Sequence, residues 1–289
     1  MKMLIGRCVL GLALVLVTCG LAVAQDLPMA PVHGAGQGIT GAFEGWFPNQ
    51  DGSFTLLMGY FNRNQEEALD IPIGPNNDIE PGGPDQGQPT HFLSAGRQWG
   101  IFSIKVPKDF GDKKLTWSIT ANGKTSVVPL SLSPLWRLEP FVDATNNTPP
   151  YLGFSNEGPF VNGPIGQSES LTAKVGAPLT LTIWVADDAK DPLLRQPGGK
   201  EQPVVTGHWI VFRGPAAVKF DPVGPTVEKT QLVSPPPGTP FNGKATTTAT
   251  FPEPGDYILN YQAEDQTGGG PAGRQCCWSN VKIKVSVTK

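Results

Sequence analysis

The 289-residue chain is poor in the residues that carry chemistry: it has three histidines and four cysteines. His33, His91 and His208 are isolated from one another, and neither His-Glu-x-x-His nor Cys-x-x-Cys occurs, which argues against a zinc site of the usual spacing. No Gly-x-Ser-x-Gly is present, and Ser155 and Ser234 lie in Pro/Gly-rich stretches without a neighbouring base. The run Gly268-Gly269-Gly270 lacks the Lys-Ser/Thr of a phosphate loop. The expectation is therefore a protein that is not an enzyme. A basic excess is missing too, with 22 Lys and Arg against 25 Asp and Glu, so bulk electrostatics draws in neither nucleic acid nor an anionic membrane. Sustained 3.6-residue periodicity is absent from the chain after its first residues, which disfavours a parallel α/β fold.

Long apolar runs are also scarce, and the one at the N-terminus, Val9 to Val17, is shorter than a bilayer core requires. Lys2 and Arg7 precede it and Ala22-Val23-Ala24 follows it, the order of a secretory signal peptide over residues 1–24. An exported protein is expected, periplasmic, extracellular or at the cell surface, without a transmembrane segment in the mature chain. Leu16-Val17-Thr18-Cys19 resembles a lipobox with Thr18 where a smaller residue is usual, so a lipoprotein anchored through Cys19 is the alternative. Cleavage after Ala24 leaves 20 basic against 25 acidic residues and only two cysteines, Cys276 and Cys277. Adjacent cysteines are poorly spaced for an ordinary disulfide. They could form a vicinal disulfide, link two chains into a dimer through Cys276 or Cys277, or remain one buried and one exposed thiol.

The 35 glycines and 30 prolines fit many short strands joined by turns. The pattern predicts an all-β chain of two tandem immunoglobulin-like antiparallel sandwiches: a flexible segment 25–40, a first sandwich 41–138, a linker 139–150 and a second sandwich 151–289. Phe54 to Phe61 reads as a central strand buried on both faces. Asn122-Gly123, between Leu115–Ile119 and Val127-Val128, marks a hairpin because both central positions of a type I′ turn need positive φ. In the second half Leu179–Val185, Tyr257–Ala263 and Val281–Val287 alternate in polarity, the last with one buried and one wet, Lys-bearing face.

The succession Val175-Gly176-Ala177-Pro178-Leu179-Thr180-Leu181, Val185-Ala186-Asp187-Asp188, His208-Trp209, Gly214-Pro215-Ala216, then Phe251-Pro252-Glu253-Pro254-Gly255-Asp256-Tyr257 running to Glu264-Asp265, resembles a bacterial PKD-type immunoglobulin-like repeat. It spans about Asn147 to Lys289. The insert from Ala189 to Val204 and the Cys276-Cys277 pair depart from that pattern, and the first half resembles no named family. Independently of the family, Pro254-Gly255 predicts a tight turn before a strand, with Tyr257 placing its ring in the core and its hydroxyl on nearby backbone.

Three features are candidates for function. The stretch 73–90, rich in Pro, Gly and Asn, reads as a long surface loop of the kind that binds. Asp187, Asp188 and Asp265, with Asp191 and Glu264 beside them, fall at strand ends that a sandwich brings together, a set of oxygens suited to calcium. Trp46, Trp99, Trp136 and Trp278 could stack on sugar rings if exposed. The reading is an exported non-enzymatic binding or structural module of the cell envelope or extracellular space, whose partner is an unknown extracytoplasmic protein or glycan. The alternatives are an accessory or catalytic protein acting on extracellular polysaccharide and a calcium-rigidified adhesin segment.

Overall fold

The computed structural model describes residues 33–94, 96–190, 203–265 and 276–289. The expected leader, residues 25–32 of the segment 25–40, most of the insert 189–204 including Asp191, and Gly268–Gly270 lie outside the described residues. His33–Lys289 forms one compact unit. Among the described residues there is no α-helix, only strands and one short 3-10 turn, Pro134–Trp136. No helix there is long and apolar enough to cross a membrane.

In the first half, β1 (Ile39–Pro48), β2 (Phe54–Asn62) and β6 (Gly96–Val106) form one antiparallel sheet. A second contains β4 (Asn77–Glu80), β7 (Leu115–Ala121) and β8 (Lys124–Leu130). A short pair, β3 (Leu69–Asp70) with β5 (His91–Phe92), closes one end. The β7–β8 hairpin turns at Asn122 and Gly123, whose φ values of 49° and 71° are those the Asn-Gly signal requires. β2 is buried on both faces as far as Tyr60, and Phe61 is exposed: Leu56, Met58 and Tyr60 enter the core between the sheets, while Leu57 packs outward against Leu138 and Trp278. Trp117 and Phe102 meet edge to face at that core's centre.

The second half is a two-sheet sandwich. One sheet has the order β10 (Ser168–Lys174), β17 (Trp278–Thr288), β16 (Gly255–Asp265), β12 (Val205–Arg213). The other has β13 (Lys219–Asp221), β15 (Phe241–Thr250), β11 (Leu179–Asp187), β9 (Tyr151–Gly153), with β14 (Glu228–Lys229) also on β15. β10 runs parallel to β17 and the remaining pairs are antiparallel. Leu181, Ile183 and Val185 face Tyr257, Leu259, Tyr261, Ile283 and Val285 across the core, the alternate residues that period-2 patterning places on one face. Trp209 of β12 is buried against Tyr261. The Tyr257 hydroxyl donates to the Glu253 carbonyl at 3.0 Å, the corner anticipated from Pro-Gly-Asp-Tyr and found in Greek-key sandwiches.

One expectation about β17 is corrected. Its Lys-bearing face is not wet throughout; the strand lies between β10 and β16. Asn280 is buried and Lys282 half-buried on that face, and Lys284, Ser286 and Thr288 remain exposed. The first half covers the rest.

Candidate functional site

Two of the acids anticipated as metal ligands, Asp188 and Asp265, are held by adjacent residues of one segment. Asn147 donates its side-chain N–H to Asp265 at 2.7 Å, and the next residue, Thr148, gives Asp188 both its backbone N–H, at 3.1 Å, and its hydroxyl, at 2.9 Å. Asp187 accepts from the Ala189 N–H at 2.8 Å and Asp188 from the Lys190 N–H at 3.2 Å. The Lys190 ammonium lies 2.9 Å from the Asn146 carbonyl and 3.3 Å from Asp188. Protein donors and an internal cation thus already surround these oxygens. Among the described residues no group of three or more His, Cys, Asp or Glu is arranged to hold a metal.

Beside this end, Cys276 and Cys277 are joined by a cis peptide and bonded to each other. Both are buried, and Cys277 Sγ sits 3.5 Å from the Asn147 carbonyl. Of the three states open from sequence the structure has the vicinal disulfide, so a bridge between chains through Cys276 or Cys277 would require this bond to open first.

The 73–90 stretch folds back on its own chain. Asn77, fully buried, donates to the carbonyls of Ile71 and Pro89 and accepts from the Trp117 indole. Gln88, also fully buried, donates to the carbonyls of Pro84 and Asn77. From this frame Asp85 meets Arg213 of β12 in a two-pronged ion pair, 2.7 and 3.0 Å, while Arg213 Nε donates to the Gln88 carbonyl at 2.8 Å. The guanidinium holds the Asp85 carboxyl below its ordinary range. Ile210 and Phe212 of the same strand enter the first half's core. The loop is a clasp between the halves.

The centre of that joint is a layer of buried amides. β6 carries a wide bulge: Trp99, Gly100 and Ile101 oppose only Gly59 of β2. It turns the Trp99 and Gly100 carbonyls toward the other half, where Gln262 Nε2 and Asn280 Nδ2 donate to them at 2.9 and 2.8 Å. Asn280 also donates to the Pro164 carbonyl and accepts from both Asn260 and Gln262. Gly100 has φ +52°, and a Cβ there would lie 2.4 Å from the Trp278 ring; only glycine lets the bulge and the indole pack so closely. Lys282, on the same face as Asn280, holds its ammonium 4.6 Å from the centre of the Phe212 ring. Burial, reinforced by repulsion from Arg213, pushes this amine down to about 8.

A second charged pair occupies the other flank of the bulge. Arg97 contacts Glu44 at 2.6 Å and lies 4.0 Å over the Trp99 ring. Burial raises the Glu44 carboxyl above its ordinary value in spite of Arg97. Gly59 leaves room for both side chains. Sequence reading passed over Glu44, Arg97 and Asn280 and took Lys282 for a wet-face residue; the available signal was glycine inside strands, at Gly59 and Gly100, which marks bulges and close backbone approach.

Of the tryptophans considered as a sugar platform, Trp278 is buried, Trp46 and Trp99 are half-buried, and Trp136 is half exposed at 50 %. They do not form an exposed row. His91 is buried and hydrogen-bonded to Asp70 at 2.7 Å, while His208 lies half-buried on β12.

No family model matches the chain, and no curated protein matches it by sequence. Solved structures similar to it include the PapD-like domain 7 of human CEP192, 10 % identical over 53 % of this chain and 93 % of that one, with a TM-score of 0.28. The D00-D0 domain of intimin is 11 % identical over 87 % and 100 %, at 0.26. Domains 4 and 5 of the S-layer protein SbsC are 12 % identical over 88 % and 98 %, at 0.21. The assignment of an all-β sandwich rests on the strand order itself.

Proposed function

We propose that the chain is an exported, non-enzymatic module of the cell envelope or extracellular space, whose second half is a PKD-type immunoglobulin-like repeat and whose task is to hold binding loops in a fixed relation. The observation that carries this reading is the joint. Asp85, Arg213, Gln262 and Asn280, polar residues of the kind a binding loop would offer a ligand, are instead committed to locking one sandwich against the other. A joint built from a bulge, a buried amide layer and an ion pair serves a protein that must keep its shape while something pulls on it or docks to it. The order of β9, β11, β15 and β13 against β10, β17, β16 and β12, the Tyr257 corner and the buried Trp209 support the immunoglobulin-like reading of the second half. The leader motif supports export.

The test is fractionation of the native host, with intact-mass measurement of the recovered protein and a pull-down from the envelope. A chain beginning at Gln25 outside the cytoplasm, with envelope components retained on it, is the expected result. A cytosolic protein with its leader intact, or a hydrolytic activity abolished by one carboxylate or serine substitution, would overturn the reading.

A further inference from the structure

The second sandwich has a cavity of about 580 Å³ at one end, where β11 stops at Asp187 and β12 and β15 start at Val205 and Phe241. Its volume falls within the roughly 300–1,000 Å³ of small-molecule sites. Ala189, Val204, Pro240 and Phe241 give it an apolar side, and Lys229, Thr230 and Gln231 a polar one. Among the described residues those three polar side chains have no hydrogen-bonding or ionic partner. A second hollow, of about 420 Å³ in the first half, is the contrast: there Asp51 pairs with Lys105 at 2.6 Å and Thr55 bonds Asn49.

The polar side is held still by the strand beneath it. β14 lies against β15 with Lys229 opposite Gly243, where a Cβ would fall 2.9 Å from the Glu228 carbonyl. The Thr230 N–H donates to the Asn242 carbonyl at 3.1 Å and the Val233 N–H to the Asn156 carbonyl at 2.9 Å, with Leu232 buried between them. Pro235, Pro236, Pro237 and Pro240 stiffen the return to β15. On the apolar side Ala189 has φ +52°, its N–H held by the Asp187 carboxylate at 2.8 Å. A residue with a side chain takes that conformation only where its surroundings impose it, and such strain gathers at ligand clamps.

We propose that this cavity binds a sugar ring of a glycan, its hydroxyls met by Lys229, Thr230 and Gln231 and its C–H face laid on Val204, Pro240 and Phe241. A pyranose carries both kinds of surface on one small body. Thr and Gln side chains donate and accept, as sugar hydroxyls do, and Lys donates. A wholly apolar ligand would desolvate the polar side without pairing it. A small inorganic anion would leave the apolar side bare and would lie near the Asp187 carboxylate. The fixed wall lowers the cost of ordering on binding, and loops at the ends of a sandwich are where such folds bind. This deepens the function proposed above by naming a class of partner, and rests on it only for the glycan being met outside the cytoplasm.

Isothermal titration calorimetry on the purified chain tests it, with short oligomers of glucose, N-acetylglucosamine and galacturonate, and with cyclohexanol and hexanoate as controls. At least one oligomer should bind with a dissociation constant below about 1 mM. Lys229→Gln and Gln231→Ala should each weaken that binding at least about fivefold. Both residues are exposed, so the fold survives their replacement, which circular dichroism checks. Binding confined to the acidic or to the neutral oligomers supports the proposal and identifies the sugar. Failure of every oligomer to bind at about 10 mM, binding that neither variant weakens, or controls that bind as tightly as the sugars would each overturn it. Those results are separate from fractionation, where a cytosolic chain would end the export reading and leave binding in the cavity unaffected.

Discussion

Asn280→Ala strikes the joint at its most connected residue. The side chain makes four hydrogen bonds: it donates to the carbonyls of Gly100, at 2.8 Å, and Pro164, at 3.2 Å, and accepts from Asn260, at 3.2 Å, and Gln262, at 3.1 Å. Each is worth about 1 kcal/mol net, and the buried groups left behind pay desolvation unless water replaces the amide. Water entering the vacated space restores part of this, so the loss of unfolding free energy should be about 2–4 kcal/mol. Urea denaturation followed by tryptophan fluorescence measures it. Because Trp278 belongs to one half and packs on Leu57 of the other, the transition should remain single and its midpoint should fall. Asn280→Asp should be worse, since a carboxylate cannot donate to the Gly100 and Pro164 carbonyls. A loss under about 1 kcal/mol would refute the claim that this amide layer holds the halves together, as would a wild-type transition that splits in two.

Lys282→Met tests the buried amine. Its folded-state value lies near 8, below the ordinary lysine value, so above that point the unfolded chain holds the extra proton and stability rises with pH; a melting temperature measured from pH 7.5 to 9.5 should rise in wild type less this residue's contribution in the variant, which should also be the more stable protein at neutral pH. Tyr257→Phe deletes the bond to the Glu253 carbonyl and should cost about 1 kcal/mol in urea denaturation, without disturbing the ring's packing on Phe251. Because Cys276 and Cys277 are bonded to each other and buried, a thiol reagent followed by peptide mapping should leave both unlabelled in the native chain, and a dithiol reductant should open the bond far faster in urea than in buffer; labelling of Cys276 or Cys277 in the native, unreduced chain would contradict the pairing.

What could be read beforehand was whatever depends on near neighbours in the chain. Asn122-Gly123 specifies its turn through φ alone, and Tyr257 needs only a carbonyl four residues back. Leu179–Val185 and Tyr257–Ala263 declare their inner faces by alternation, and the core then follows. Phe54–Phe61 betrayed two buried faces because it lacks a polar one. The joint was opaque for the opposite reason. Asn260, Gln262 and Asn280 look like the wet face of an ordinary strand, and their burial depends on carbonyls contributed by Trp99 and Gly100, more than 150 residues away. Asp85 likewise looks like a turn former in a glycine-rich loop until Arg213 is brought to it. The acids at positions 187, 188 and 265 read from sequence as strand-end carboxylates, and what surrounds them, Asn147, Thr148 and Lys190, comes from segments whose patterning is silent.

The parallel alignment of β10 with β17 has a mechanical corollary. Tension applied between the start of β10 and the far end of β17 draws the two strands past each other lengthwise. Their paired residues, from Ser168 with Lys282 to Lys174 with Thr288, then share the load at once. An antiparallel hairpin tugged open from its free ends would yield its bonds one after another, like a zip. The same strand order that closes the second sandwich therefore equips it to bear a pull along its axis.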